Sequence, residues 1–130
     1  MAIPNGGGGY QLGDGNPNEV NFDDFAVAAY TAAASPLAVS DLTGGIITYN
    51  AAGANNLQLP TAAAVEAVVS AARPGTGFVF SVIALGAGTG TITTNTGWTL
   101  VGSAAVATGV SGRFAAVKTA AGAWSLYRLS

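Results

Sequence analysis

"GFVFSVIALG", residues 77–86, decides the fold. On the two-residue period of a strand, Phe78, Phe80 and Val82 lie on one face and Val79, Ser81 and Ile83 on the other. A strand with one solvated face alternates apolar with polar. This one does not, so the spacing predicts a central strand, or one covered on both sides.

Downstream, short extended segments follow at close intervals. "AGTG" at 87–90 is a turn, "TITTN" at 91–95 a strand, Thr96-Gly97 a tight turn and "WTLVG" at 98–102 a further strand. Residues 103–110 read as an edge strand or a loop. "GRFAAVKT" at 112–119 sets Arg113, Ala115 and Val117 opposite Phe114, Ala116 and Lys118. After the connection "AAG", "AWSLYRLS" at 123–130 sets Trp124, Leu126 and Arg128 opposite Ser125, Tyr127 and Leu129. Strands so short, separated by Gly-rich turns, predict a mostly β fold: a small antiparallel β-sandwich or barrel.

Upstream lies "NNLQLPTAAAVEAVV", residues 55–69, preceded by the strand "GIITYN" at 45–50 and a turn at 51–56. Leu57 and Leu59 share one face of a short strand that Pro60 ends. Thr61 is placed to cap one short α-helix over about 62–72. Val65, Val68, Val69 and Ala72 fall at i, i+3, i+4 and i+7 and make one apolar stripe, expected to pack on the chain's own sheet. The polar side, Glu66, Ser70 and Arg73, is thin. A lone, almost uncharged helix is expected to cover an open end or side of the sheets. The lack of a strand–helix–strand rhythm argues against a doubly wound sheet.

Residues 20–34, "VNFDDFAVAAYTAAA", fit a strand and equally a short helix with Asp23 and Asp24 in its first turn. Ahead of them, "NGGGG" at 5–9 and "GDGNPN" at 13–18 favour turns over regular structure. The expected organisation is an extended N-terminal arm and linker over residues 1–40, ordered on assembly, and a β-rich domain over 41–130.

Composition narrows the function. Charged residues are 8% of the 130, against about a quarter in an ordinary soluble domain. A surface so poor in charge is weakly protected against association, which points to an oligomer or to a protein docked in a larger assembly. The four basic residues, Arg73, Arg113, Lys118 and Arg128, form no cluster, so nucleic acid is not an expected partner. No apolar run reaches the ~20 residues of a membrane-spanning helix, and no membrane partner is expected. The first fifteen residues lack the basic-then-apolar order of a secretory signal.

Histidine and cysteine are both missing. That removes the commonest general base, the commonest zinc ligands and a thiol nucleophile, and with them any Ser-His-Asp triad. The carboxylates are Asp14, Glu19, Asp23, Asp24, Asp41 and Glu66, and four of the six lie in or near the arm. Asp14, Asn16 and Asn18 match the first three ligand positions of a calcium loop, but Glu19 replaces its glycine and Phe25 stands where its final glutamate belongs. No enzyme activity, metal or cofactor is expected. "GGGG" at 6–9 and "GAGTG" at 86–90 lack the Gly-Lys-Ser/Thr of a phosphate loop. Exposed aromatics among Tyr49, Trp98, Trp124 and Tyr127 would instead favour a sugar-binding module.

Three stretches, "LQLPTAAAVEAVV" at 57–69, "GTGFVFSVIALGAGTGTITTNTGWTLVG" at 75–102 and "SGRFAAVKTAAGAWSLYRL" at 111–129, resemble a small domain of tailed-bacteriophage virion structural proteins. The matching features are Leu59-Pro60-Thr61 before the helix, Gly77 to Phe80 after it, the Thr-Gly hairpins, and the closing Tyr127-Arg128-Leu129. The resemblance spans Gly45 to Leu129. It implies a non-enzymatic capsid decoration (cement) protein, or a head or tail fibre domain, on the outer capsid surface of the virion; a receptor- or glycan-binding module at a fibre tip is the alternative reading that exposed aromatics would favour. Its implied partners are two further copies, in a homotrimer, and the major capsid protein. Ala63, Ala64, Ala67, Trp98 and Phe114 are the expected trimer contacts. By analogy with the arms of decoration proteins, Ile3, Tyr10, Leu12 and Phe22 are the expected capsid contacts.

Overall fold

The structure, a computed structural model, describes residues 24–33 and 36–130. Among the described residues, nine strands and two helices follow in the order β1 (Ala26–Tyr30), α1 (Val39–Thr43), β2 (Gly45–Tyr49), β3 (Asn55–Gln58), α2 (Ala62–Val68), β4 (Gly77–Ala84), β5 (Gly90–Thr93), β6 (Trp98–Val101), β7 (Ala105–Val106), β8 (Ser111–Ala120) and β9 (Ala123–Arg128). They make two layers. One sheet has six strands in the order β1-β2-β4-β8-β9-β6, and the other has three in the order β3-β5-β7. The mostly β, sandwich-like architecture is the one the strand spacing predicts, and "GFVFSVIA" is an interior strand of the larger sheet.

The pairing departs from a uniformly antiparallel sandwich. β4–β8, β8–β9 and β5–β7 are antiparallel, but β1–β2, β2–β4, β3–β5 and β6–β9 run parallel. A parallel pair needs a crossover rather than a hairpin. Between β2 and β4 the crossover carries β3, which joins the other sheet, and α2. No periodicity within a single strand reports that choice.

The domain also begins ahead of residue 41. β1 is an edge strand of the larger sheet, and Leu37 is 1% exposed in the core. The short α1 is a second helix. Asp41 accepts the Ala38 N–H at 3.0 Å and the hydroxyl proton of Tyr30 on β1, tying helix to sheet edge.

The core lies between the layers. Ile47, Tyr49, Phe80, Val82, Phe114, Trp124 and Leu126 of the larger sheet meet Leu57, Leu59, Ile92 and Val106 from the smaller sheet and its flanks. Burying such side chains contributes roughly 1.5–3 kcal/mol each before the entropy of ordering them is counted. Phe80 and Phe114 stack with ring centroids 5.6 Å apart, and Trp124 lies 5.9 Å from both Phe78 and Trp98.

The helix α2 closes one end of the sandwich. Thr61 caps it, its hydroxyl accepting the Ala64 N–H at 3.2 Å. The Ala62 N–H bonds the Thr96 carbonyl at 3.0 Å, so the helix starts on the β5–β6 turn. That turn needs Gly97, whose φ is +91° and whose missing side chain would meet Ala62 Cβ at 2.5 Å. Helical geometry ends at Val68, four residues short of the expected Ala72, because Val69 leaves the helical region at φ −106°, ψ 56°. Val69 and Ala72 still pack against the core, but from a turn. Of the expected stripe, Val65 is buried and Val68 is 61% exposed.

Candidate interaction surface

Strand register fixes which residues share the outer face of the six-stranded sheet. One row runs Val27, Ile46, Ser81, Arg113 across β1, β2, β4 and β8. A second runs Val79, Ala115, Tyr127, Val101 across β4, β8, β9 and β6. Flanking rows add Ala29, Thr48, Ile83 and Ser111 on one side, and Gly77, Val117, Ser125 and Thr99 on the other. Arg113 is the one charged residue in these rows. A solvated sheet face normally carries the polar half of the alternation. Here Val27, Val79, Val101 and Tyr127 stand exposed, and among the described residues no layer covers them.

Five inter-strand spacings of ~4.8 Å and about five residues at ~3.3 Å give this face roughly 400 Å². Its apolar part, Val27, Ile46, Val79, Ile83, Val101 and Tyr127, is interrupted by Thr48, Ser81, Ser111 and Arg113, and exposed apolar patches on a monomer are often functional. A shallow groove of about 430 Å³ opens on it, lined by Phe25, Gly45, Ile46, Val79, Ser81 and Arg113. Gly45, at φ +92°, lets the Phe25 ring lie over it, 3.1 Å from where a Cβ would stand.

A second apolar surface surrounds α2. Ala63, Ala67 and Val68 are exposed and Ala64 is half-buried. Beside them a hollow of about 450 Å³ is lined chiefly by Val68, Val69, Ala72, Phe78 and Trp124. The thin polar side of the helix is used by the fold itself. Glu66 accepts the Gly122 N–H at 2.7 Å and the Trp124 Nε1–H at 3.1 Å, and lies 3.5 Å from Lys118 Nζ. The Gly122 amide, then the Trp124 and Lys118 contacts, hold its pKa below the usual carboxylate value against a smaller opposing effect of desolvation. Lys118 also donates to the Ala72 carbonyl at 3.2 Å, so one cation ties both α2, through Glu66, and the turn that follows it to β8.

Two of the expected trimer contacts are misplaced. Phe114 is fully buried and stacks on Phe80 inside the core. Trp98 is 9% exposed, and its Nε1–H donates to the Pro60 carbonyl at 2.7 Å. Both belong to the inward rows of the larger sheet and are spent on the chain's own interior. The expected arm contacts Ile3, Tyr10, Leu12 and Phe22 lie outside the described residues, as do the calcium-like cluster at 14–19 and the glycines at 6–9.

The aromatic platform that a sugar site needs is not assembled. Tyr49, Trp98 and Trp124 are buried, leaving Tyr127 exposed on the sheet face. The carboxylates of Asp41 and Glu66 are engaged in holding α1 and α2. Among the described residues no three acidic, histidine or cysteine side chains converge to hold a metal ion, and no helix is long and apolar enough to cross a membrane. No protein-family model, curated protein or solved structure matches the chain.

The outer sheet face is the feature that strand-by-strand reading misses. Each strand's two faces are legible in sequence, but the sum over six strands depends on register. The one trace of it in sequence is that both faces of "GFVFSVIA" are apolar but for Ser81.

Proposed function

We propose that the chain is a non-enzymatic virion structural protein of the capsid decoration type, which binds an assembled shell as a homotrimer and stabilises it. The observation that carries this reading is the exposed apolar surface. Among the described residues, ten large hydrophobic side chains stand exposed on a domain with very few charges to keep it apart from neighbours. In this reading the α2 surface, with Ala63, Ala67 and Val68 beside the hollow, is the contact between copies. The N-terminal segment, with Ile3, Tyr10 and Leu12, reaches toward the major capsid protein. Three weak attachments on one rigid trimer reinforce one another, and occupancy of the assembled lattice opposes its opening by mass action. The fibre-tip reading loses support because three of its four candidate aromatics are interior.

The test is the solution mass by light scattering over a range of concentrations, followed by co-sedimentation with empty tailed-phage heads and with unassembled capsid protein. A concentration-independent trimer retained by heads and not by free subunits is expected. A monomer that passes both targets would overturn the reading.

A further inference from the structure

We propose that copies of the chain join edge to edge, β6 of one larger sheet pairing in parallel with β1 of the next, so that three copies close head to tail. The inference rests on the trimer proposed above and adds a second contact to it. Four observations converge on a second copy as the occupant of these edges. The first is that both edges are open. β1 and β6 bound the six-stranded sheet, and among the described residues neither has a neighbour on its outer side. Sheet edges are ordinarily blunted by charge, proline or a bulge. "AVAAY" and "WTLV" carry no charge and no proline, and their registers with β2 and β9 run without a shift.

The second is hydrogen-bonding phase. In a parallel ladder the N–H and C=O of one residue point to the same neighbouring strand, and alternate residues point to opposite sides. The Gly97 carbonyl accepts the Trp124 N–H at 2.9 Å, so Thr99 and Val101 also turn their backbone to β9, and Leu100 turns its own outward. Ala26 donates to the Gly44 carbonyl at 3.2 Å and the Tyr30 carbonyl accepts the Asn50 N–H at 2.8 Å, which leaves the Val27 and Ala29 backbone turned outward. The two edges run in the same direction. Setting 98–101 of one copy beside 26–29 of the next gives the Leu100 N–H to the Val27 carbonyl and the Ala29 N–H to the Leu100 carbonyl.

The third is fit. In that register Trp98 and Leu100 lie beside the small side chains of Ala26 and Ala28, and Thr99 and Val101 lie beside Val27 and Ala29 on the outer face. Val27, Leu100 and Val101, exposed in the single chain, gain cover. The fourth is continuity. α2 starts against Gly97, next to β6, and its last residue, Val68, shares a hollow with Thr43, just ahead of β2. The helix therefore crosses the end of the same sheet, and the α2 contact and the edge contact make one surface. An isologous pairing of β1 with β1 would leave β6 open and cannot build a ring of three.

The absence of cysteine makes a direct test clean. Val27→Cys and Thr99→Cys are made singly and together, and each protein is treated with a short bismaleimide at low micromolar concentration. Positions 27 and 99 stand on opposite edges, five strand spacings or ~24 Å apart, so the reagent does not bridge them within one chain. The double variant should give covalent trimers on a denaturing gel, and each single variant should stay monomeric. Dimers in Val27→Cys alone would overturn the proposal in favour of β1 paired with β1. Only monomers in the double variant, or a ladder running past three copies, would also overturn it. Adding Leu100→Pro removes an outward N–H that β9 does not use, so the fold should persist by circular dichroism while linking falls several-fold. Unchanged linking would overturn the register. A trimer by light scattering that gives no link overturns the edge contact and leaves the shell reading standing. Linked trimers that pass over empty heads uphold the edge contact and remove the shell reading.

Discussion

The carboxylate of Glu66 on α2 accepts the indole Nε1–H of Trp124 on β9 at 3.1 Å, and the same oxygen takes the Gly122 N–H from the β8–β9 turn at 2.7 Å. One side chain thus fastens the helix to the hairpin whose strands form the centre and flank of the larger sheet. Because these contacts hold the Glu66 pKa below its ordinary value of 4.5, the stability they contribute is present above that value. It is lost as pH falls through the lower, folded pKa. Glu66→Gln should therefore lower the melting temperature at pH 7, and the gap from wild type should narrow as the pH is taken down through and below the ordinary carboxylate range. A gap independent of pH would show that the charge is not what matters.

Tyr30 gives the opposite sign. Desolvation first, then the hydrogen bond to Asp41 and the charge of Asp41, push its hydroxyl up to about 12. The neutral form is the one that the fold favours, so this contribution is complete below the unfolded value of ~10 and disappears as pH climbs from there toward 12. A tyrosinate absorbance titration should show a late component that Tyr30→Phe removes. In the variant, β1 should also lose protection from hydrogen exchange at neutral pH, since the tie between β1 and α1 is gone.

Trp98→Phe keeps a ring in the core but leaves the buried Pro60 carbonyl without the indole donor it has at 2.7 Å. An orphaned buried acceptor costs about 1–3 kcal/mol. Urea denaturation should give a loss in that range with an unchanged m value. A loss below about 0.5 kcal/mol would mean that another donor reaches Pro60.

Gly97→Ala forces an L side chain into φ +91° and against Ala62 and the Gly122 carbonyl. Strain of this type costs on the order of 1–3 kcal/mol, and the contact adds to it. The same substitution at Gly53, where a Cβ would meet nothing within 4 Å, is the control. Gly97→Ala should melt lower and the control should stay close to wild type.

Val68→Asp tests the proposed contact between copies. Val68 is 61% exposed, so the folded monomer should lose less than about 0.5 kcal/mol. If the proposed trimer forms through α2, light scattering should nevertheless show it dissociating. A trimer unaffected by Val68→Asp would move the interface away from α2.

Much of this was legible in sequence. Turn residues at 87–90, 96–97 and 120–122 mark the strand ends to within a residue or two, and Thr61 marks the helix start. What sequence could not give is relational. "AVAAY" at 26–30 and "VSDLT" at 39–43 are too short and too mixed for periodicity to classify, and the Tyr30–Asp41 bond that joins them spans eleven residues. Parallel pairing leaves no trace in either strand alone. Trp98 and Phe114 carry no local sign of whether an aromatic on a short strand faces inward or toward a neighbour, because that depends on which strands flank it. Glu66 reads as a surface residue on the thin side of a helix, and its partners arrive from 56 and 58 residues downstream.

The strand order also sets a timetable for synthesis. β6 leaves the ribosome about two dozen residues before β9, yet among the described residues β9 is its sole neighbour in the six-stranded sheet, paired in parallel from Trp98–Trp124 to Val101–Tyr127. Until β9 emerges, β6 lacks that partner. Trp98 then lacks the ring it packs on, and α2 lacks the hairpin that Glu66 grips. The nascent chain stays open on that side until β9 has been made, and this long-range pairing is a slow step. A message cut short before Ala123 would leave an unclosed sheet with Leu100 and Val101 offered to whatever is nearby.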